Sequence, residues 1–407
     1  MSKLLFIEAN TTGTGMMALA RAAASGLEPV LYTNQPQRYR GLEDIPCEVY
    51  VCNTNDIDEL QRQIATTIDV DCIRGITTTS EFYLEQVAKL TTFYGLPGND
   101  VDTVRYVRNK AQTRRVLEQA GVLQPRFEVV HTEAELDEAI RRIGLPCVVK
   151  PTEDSGSNEV RLCTSMEVAQ AQVRMILSHQ VNVRGQAVPH EVLIEQYVDA
   201  PEYSVETMSW QGQTTVIGIT QKSLAGLPFF VEAGHLFPAA LSADQYRNMT
   251  DTVLQALNTV QFKNGAAHTE VKWTEAGCSI VEINGRLAGG MIPELIRLTT
   301  GIDLLEQQMY CAVDGPRLPP LHYTGTAGIR FVMSSVKGEL EQLTGIDRVQ
   351  RMNHIQASRI HIQSGEMIVP PQNAYQRLGY LIAHSPTMDE TVQTLEQALE
   401  LIEVKVK

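Results

Sequence analysis

The sequence predicts an α/β protein of several subdomains, with a small parallel sheet first and antiparallel strands afterwards. Three observations predict it. Short apolar runs alternate with helical stretches over the first hundred residues, as in a parallel sheet. From Asn109 the alternation changes, and long strand-like runs follow one another directly. The chain has 407 residues, more than a single hydrophobic core usually organises.

Residues 3–8 (KLLFIE) read as a strand, and NTTGTGM leads into an Ala-rich helix up to about Ser25. PVLYTN, CEVYVC and DCIRGIT read as three more strands. Gly13-x-Gly15-x-x-Ala18 mimics a dinucleotide fingerprint. Glu28 comes too early for the ribose acid, however, and no acid ends PVLYTN, so the glycines read as a tight turn. KAQTRRVLEQAGV is helical; RFEVV, a helix from Thr132 and PCVVKP follow. TEDSGSNEV is polar and reads as a mobile loop. EVLIEQYVDAPEYSVETMSW and QTTVIGITQK read as antiparallel strands, and SADQYRNMTDTVLQALNTV as a long helix. IPELIRLTT and DLLEQQMYCAV are two more helices. After Pro319-Pro320 a last section runs from GTAGIRFVM to the helix MDETVQTLEQALELIE.

Bulk properties remove several function classes. The net charge of −14 disfavours a nucleic-acid backbone as the main partner. No run approaches the ~18 apolar residues of a membrane span, and MSKLLFIEAN is too short in its apolar part for a signal peptide. Seven cysteines without a CxxC pair read as reduced thiols. A cytoplasmic protein is expected.

VEINGRLAGG carries a carboxylate, an amide and a guanidinium at Glu282, Asn284 and Arg286, on one face of an extended chain. Upstream, Glu275-Ala276-Gly277 reads as a three-residue hairpin loop in which Thr274 pairs with Cys278. That register sets Glu270 opposite Glu282 and His268 opposite Asn284. Two charges ~5 Å apart repel by roughly 3 kcal/mol at an effective dielectric of ~20. Solvation, protonation of one acid, or a bound cation relieves this; two carboxylates without a full protein cage suit Mg²⁺. Lys150 ends an apolar strand and must find solvent or an anion, and the Ser-Gly-Ser loop after it offers amides and hydroxyls to phosphate.

Together RNKAQTR, CVVKPTEDSGSNEV, LIEQYVDAPEYSVE, AHTEVKW and VEINGRLAGG, in this order, resemble the ATP-grasp superfamily of carboxylate–amine ligases over about residues 1–340. The AHTE motif, the GHLFPA loop at 234–239 and the GIRFVM strand look like the L-amino-acid ligases. The resemblance implies an ATP-grasp fold: a PreATP-grasp (Rossmann-like) domain over 1–108, an ATP-grasp domain over 109–312 (lid 109–200, metal and catalytic part 201–312), and a C-terminal α+β section over 313–407. It implies ATP and Mg²⁺, two ions expected and Mn²⁺ an alternative, acting on small-molecule carboxylate and amine substrates. A homodimer is common among such proteins, and many serve antibiotic or other secondary-metabolite pathways.

Residue by residue, the resemblance implies that Lys110 and Lys150 contact the phosphates and that Ser155, Gly156 and Ser157 close over them. Glu195, Tyr197 and Val198 line the adenine hinge, and Glu202 holds the ribose. Glu270 and Glu282, with Asn284, are the metal ligands. Arg286 and the Gly289 and Gly290 amides serve the acyl phosphate. His268 binds the carboxylate substrate or takes a proton from the amine, Arg330 meets a substrate carboxylate, and His235 lines the amine pocket. Met333, Phe229 and Phe230 read as core. The alternatives left standing are a ligase for a non-amino-acid carboxylate and an ATP-binding protein without turnover.

Overall fold

The computed structural model describes residues 2–11 and 14–407. Gly13 of the fingerprint-like turn lies outside the described residues. Gly15 is required there: a β-carbon on it would lie 1.8 Å from the Asn10 carbonyl oxygen. Four parallel strands, β1 (Lys3–Ile7), β2 (Glu28–Thr33), β3 (Glu48–Val51) and β4 (Ile73–Thr77), form the first sheet in the order β3-β2-β1-β4. β1 and β2 are apolar and buried along nearly their whole length, as a parallel sheet covered on both faces requires.

A second, antiparallel sheet holds β5 (Phe127–Val130), β6 (Cys147–Pro151), β7 (Arg161–Cys163) and β8 (Val192–Gln196) in the order β5-β8-β6-β7. The helix Lys110–Gln119 precedes it, capped by Asn109, whose side chain accepts the Gln112 amide.

The third sheet is the largest. It begins with β9 (Glu202–Trp210), β10 (Gln213–Ala225), β11 (Val231–Phe237), β12 (Gly265–Thr274) and β13 (Gly277–Asn284). The C-terminal section adds β14 (Thr326–Val332), β15 (Gly338–Thr344), β16 (Ile355–Ile360), β17 (Met367–Ile368), β18 (Gly379–Ser385) and β19 (Glu403–Val406). Of these, β14, β18 and β16 extend the large sheet to eight strands, β13-β12-β9-β10-β11-β14-β18-β16, and the others form a small sheet of their own. GHLFPA is therefore mostly strand, not loop: residues 234–237 pair with β14 and residues 234–236 also with β10.

One face of the large sheet packs on the helix Ala243–Thr259 through Tyr203, Val205, Val271 and Ile280. Side chains alternate along a strand, so Glu202, Ser204 and Glu206 on β9 and His268, Glu270 and Lys272 on β12 share the opposite face. That polar face is the floor of the candidate site.

The expected hairpin register holds at the site and fails at the tip. Glu270 lies opposite Glu282 and His268 opposite Asn284. Thr274, however, pairs with Gly277 rather than Cys278, so the loop is only Glu275-Ala276. The residue missing from the turn reappears as a bulge at Val281, where the ladder steps from Glu270–Glu282 to Val271–Ile280.

Candidate active site

Glu270 and Glu282 face each other across β12 and β13, and each meets a different lysine. Glu270 Oε1 lies 2.7 Å from Lys222 Nζ, and Glu282 Oε1 lies 3.0 Å from Lys110 Nζ. The repulsion expected from the register is thus relieved by two separate ammonium groups. Lys110 begins its helix, where the helix dipole disfavours a cation. Burial opposes its charge, but Glu282 and Glu81 more than offset this and hold it above the ordinary lysine range. Its Nζ also donates to the Asp154 carbonyl at 2.9 Å, linking the polar loop to the acidic hairpin.

Lys150 points elsewhere. Its Nζ lies 2.7 Å from Glu195 Oε2, while Glu195 Oε1 accepts from Arg114 Nε at 2.6 Å. Burial pushes the Lys150 ammonium below its ordinary value despite Glu195. Both Glu195 oxygens are engaged, so its carboxylate does not stand free to read an adenine edge as expected. Arg114 does more than neutralise Glu195. Its Nη2 donates to the Val281 carbonyl at 2.6 Å, satisfying an acceptor at the bulge. Val198 offers its carbonyl to Lys272 at 2.8 Å, and the Tyr197 hydroxyl donates to Asp199. Glu202 is flanked by lysines on both neighbouring strands, 3.1 Å from Lys222 and 3.8 Å from Lys272.

In the polar loop, Ser155 donates its amide to the Asp154 side chain. Gly156 has φ +74°, and a β-carbon there would press on the Tyr375 ring at 3.3 Å. Ser157 also adopts a positive φ, 56°. The loop touches the C-terminal section, with the Ala374 amide donating to the Gly156 carbonyl at 3.3 Å. Beside it the Leu162 amide donates to Pro228, and Arg161 lies over Phe229. Phe230 meets the Tyr197 ring. Phe229 and Phe230 are half-buried walls between lid and sheet rather than core. Met333 does pack against the core.

His268 sits between two carboxylates. Its Nδ1 is 3.0 Å from each Glu206 oxygen and its Nε2 is 3.2 Å from Glu270 Oε1. Burial opposes its charge, but Glu206 and Glu270 hold the imidazolium up to about 9. In this pairing both nitrogens are donors, so His268 orients Glu270 and is not poised as the expected base. For Glu270 burial is likewise outweighed, here by Lys222 and His268, and its carboxyl stays well below the usual range.

Arg286 donates through Nε and Nη2 to Glu81 Oε2 at 3.0 and 2.8 Å, and through Nη2 to Asn284 Oδ1 at 3.3 Å. Glu81 follows β4 in the first sheet, so the arginine ties the two sheets together. Beyond it, Gly290 (φ +57°) packs so closely that a β-carbon would lie 2.6 Å from His235 Nε2, whereas Gly289 has open space. His235 is fully buried, and both its ring nitrogens lack a hydrogen-bond partner among the described residues. Burial pushes it down to about 4 despite Glu232 at 3.8 Å, so it is neutral. Burial of Glu232 is outweighed chiefly by Lys222 at 3.1 Å, which holds its carboxyl at about 2.

Arg330 corrects an expectation. It lies opposite Gly234 on β14, but its guanidinium pairs with Glu396 on the helix Met388–Glu400 at 3.0 Å. Neighbouring Phe331 points the other way, toward His235, as strand alternation demands. The pocket cation on that side is Arg377, which sequence reasoning missed. Its guanidinium lies 3.7 Å over the Phe331 ring and its Nη1 is 3.5 Å from Glu232 Oε2.

Glu81, Glu206, Lys222, Glu232, Arg114 and Arg377 all went unread. For Lys222 and Glu206 a signal existed: charges at alternate positions within otherwise apolar strands.

The residues present fit a divalent metal. No cluster of three or more His, Cys, Asp or Glu occurs among the described residues. Two opposed carboxylates beside an amide oxygen instead suit Mg²⁺, which takes its other ligands from water and phosphate.

Comparison with known proteins adds the kinship. Residues 143–294 match the ATP-grasp domain family, and residues 330–407 match L-amino acid ligase C-terminal domain 2. The uncharacterized protein y4rH of Sinorhizobium fredii is 30% identical, over 99% of this chain and 83% of that one. Alanine–anticapsin ligase of Bacillus amyloliquefaciens is 27% identical over 61% of this chain and 56% of its own length. In fold, the crystal structure of an L-amino acid ligase from Bacillus licheniformis superposes with a TM-score of 0.85 at 21% identity, covering 100% of this chain and 99% of that one.

Proposed function

The chain belongs to the ATP-grasp superfamily and ends in an L-amino-acid ligase C-terminal domain; from that premise we propose that it is an ATP-dependent ligase joining an amino acid or related carboxylate to an amine. The observation that carries the reading is the opposed pair Glu270 and Glu282, flanked by Lys110, Lys222 and Arg286. ATP-grasp enzymes use ATP with a divalent metal, and Glu270, Glu282 and Asn284 would hold it here, two ions being our expectation. When bound, the metal supplies neutralising charge to the phosphates.

In the first step a substrate carboxylate oxygen attacks the γ-phosphorus, and the bond to the β-phosphate oxygen breaks to release ADP. In the second, the amine nitrogen attacks the acyl carbon, inorganic phosphate leaves, and the amine loses a proton. Phosphoryl transfer asks a protein mainly for positioning and charge. Lys110 is placed to meet phosphate charge, and Lys150 is set to join it by exchanging Glu195 for phosphate. Arg286 is oriented by Glu81 toward the reacting acyl group. His235, neutral and buried against Gly290, forms part of the wall on the amine side, and the departing phosphate takes up the amine proton. His268 keeps Glu270 in place. The Ser155–Ser157 loop, lying against the C-terminal section, shields the acyl phosphate from water.

The seven cysteines are all free, which fits a reducing compartment. No helix of the described residues is long and apolar enough to cross a membrane. The kinship to alanine–anticapsin ligase supports our reading that the protein serves secondary-metabolite assembly.

³¹P NMR of the protein with MgATP and pooled amino acids, followed by mass spectrometry, tests the reading. ADP and phosphate with a new amide is the expected result. AMP and pyrophosphate, or ATP binding without turnover, would overturn it.

A further inference from the structure

Between the helix Met166–Leu177 and β8, residues 179–188 form a hairpin that leaves the second sheet and reaches the first. We propose that Arg184, at the tip of this hairpin, is a positioning residue of the reaction. It latches the lid to the first sheet, so that the acyl phosphate meets the amine before it meets water. The inference rests on the ligase reading above and adds the residue that holds the lid through the second step.

The hairpin is built to present Arg184. Val181 bridges Ala187, and Gly185 takes the φ of +75° that the turn requires. Asn182 Oδ1 accepts the Arg184 and Gln186 amides at 2.9 and 3.1 Å, which fixes the tip. Three contacts then cross to the first domain. Arg184 Nη2 donates to the Ala9 carbonyl, just beyond β1, at 3.1 Å. The Asn55 side chain donates to the Arg184 carbonyl at 3.0 Å, and Gln186 Nε2 donates to the Phe82 carbonyl at 2.9 Å. The receiving side is rigid. Glu8 is fully buried, and its carboxylate accepts from Thr33 (2.9 Å), the Asn34 amide (2.6 Å), Thr54 (2.8 Å) and the Tyr39 hydroxyl. Its φ of +53° is a strained value for a glutamate, which persists only where the surroundings over-determine it.

Arg184 is buried but only partly satisfied. Its Nη1 lies 3.9 Å from Glu8 Oε2 and has no hydrogen-bond partner among the described residues. A buried guanidinium with every donor paired would act as a permanent bolt; one left short of a partner holds weakly and can release. That suits a lid that must open to let ADP go. Both ends of the hairpin lead to the chemistry. At its root, His179 Nε2 lies 2.7 Å from Glu159 Oε1, two residues beyond Ser157 of the polar loop. Near its tip, Gln186 holds Phe82, the residue after the Glu81 that orients Arg286. Docking of Arg184 therefore sets the loop over the phosphates and buttresses the aim of Arg286. If the lid lifts early, water attacks the acyl carbon and the bond from that carbon to the phosphate oxygen breaks. The carboxylate substrate is then regenerated, and ATP is consumed without an amide.

The test uses the full chain with MgATP and pooled amino acids, with phosphate counted by ³¹P NMR and amide by mass spectrometry. The wild type should give phosphate and amide in equal amounts. Arg184→Ala should raise the phosphate formed per amide by at least ~3-fold, since losing a charge-assisted hydrogen bond shifts an equilibrium by roughly tenfold. Arg184→Lys keeps a cationic donor and should restore part of the coupling. Val183→Ala, at an exposed position of the same tip, should leave the ratio at its wild-type value. A folded Arg184→Ala enzyme that still gives equal amounts overturns the inference and leaves the ligase reading standing. So does a Val183→Ala enzyme that uncouples to the same degree. If Arg184→Ala does not fold, Asn55→Ala removes the anchor from the other side of the contact and decides by the same ratio. No ADP release by the wild type sinks the ligase reading and this inference with it.

Discussion

The two halves of the site differ in how their charges are satisfied. On the nucleotide side, Lys110, Lys150, Glu195, Glu282, Arg286 and Glu81 are all in close ion pairs. On the substrate side, among the described residues, neither His235 nitrogen has a hydrogen-bond partner and the Arg377 contact to a carboxylate is 3.5 Å long. A polyanion and its cation bring enough charge to exchange with existing pairs, so a site for them can rest fully paired. A small neutral or zwitterionic substrate brings much less, and its site works best with donors and acceptors left free, at the cost of burying them unsatisfied.

Four substitutions would break or sharpen that contrast. The largest effect is expected from Glu282→Gln, which removes one wall of the acidic pair. Turnover should fall by more than ~100-fold, the scale of a lost electrostatic stabiliser, with circular dichroism unchanged; near-normal activity in a folded variant would refute the metal assignment. Arg286→Ala should lower kcat by about 10²–10³-fold while ATP affinity, read by calorimetry, stays close to wild type. A loss confined to ATP affinity would move Arg286 to the nucleotide half.

Lys222→Met tests the border between the halves. It leaves Glu202, Glu232 and Glu270 without their shared cation, and removing one partner of a buried ion pair costs about 3–5 kcal/mol. Urea unfolding should register that loss without metal and a smaller one with Mg²⁺. An equal loss in both would mean that the metal and Lys222 do not neutralise the same carboxylates.

The smallest effect concerns His235. Its folded value lies at about 4, below the 6.5 of a free imidazole, so the unfolded chain takes up the proton first as pH falls. Stability from the neutral ring is present above about 6.5 and is lost on descending toward 4, up to ~3 kcal/mol at 1.36 kcal/mol per pH unit. The difference between wild type and His235→Asn should slope through that window. A flat difference would mean that the ring is already charged or solvated.

The nucleotide half was the more legible in sequence for a physical reason. Glu282, Asn284 and Arg286 stand two apart, and a short hairpin fixes Glu270 and His268 against them, so strand periodicity alone places five groups. The substrate half joins His235, beside Glu232 at the border, to Arg377, which arrives from more than a hundred residues later. Nothing local links them. Arg330 was the natural choice, a charge within GIRFVM, but alternation along β14 turns it toward Glu396 and gives the inner position to Phe331. Glu81 was hidden likewise, since only the docking of the first sheet brings it to Arg286. The hairpin tip was misread because turn length and bulge trade against each other, and the sequence shows only their sum.

That trade has a bearing on redesign. The two-residue tip and the extra residue at Val281 form a compensated pair, with Arg114 anchored on the carbonyl of the second member. The acids at the base of the hairpin are thereby insulated from the tip, whose Glu275 and Ala276 are free to vary at fixed length. Deleting Val281 alone would straighten the ladder and leave Glu282 opposite Glu270, while removing the carbonyl that Arg114 holds. Grafts that exchange this hairpin between ligases should carry turn and bulge together, as one cassette.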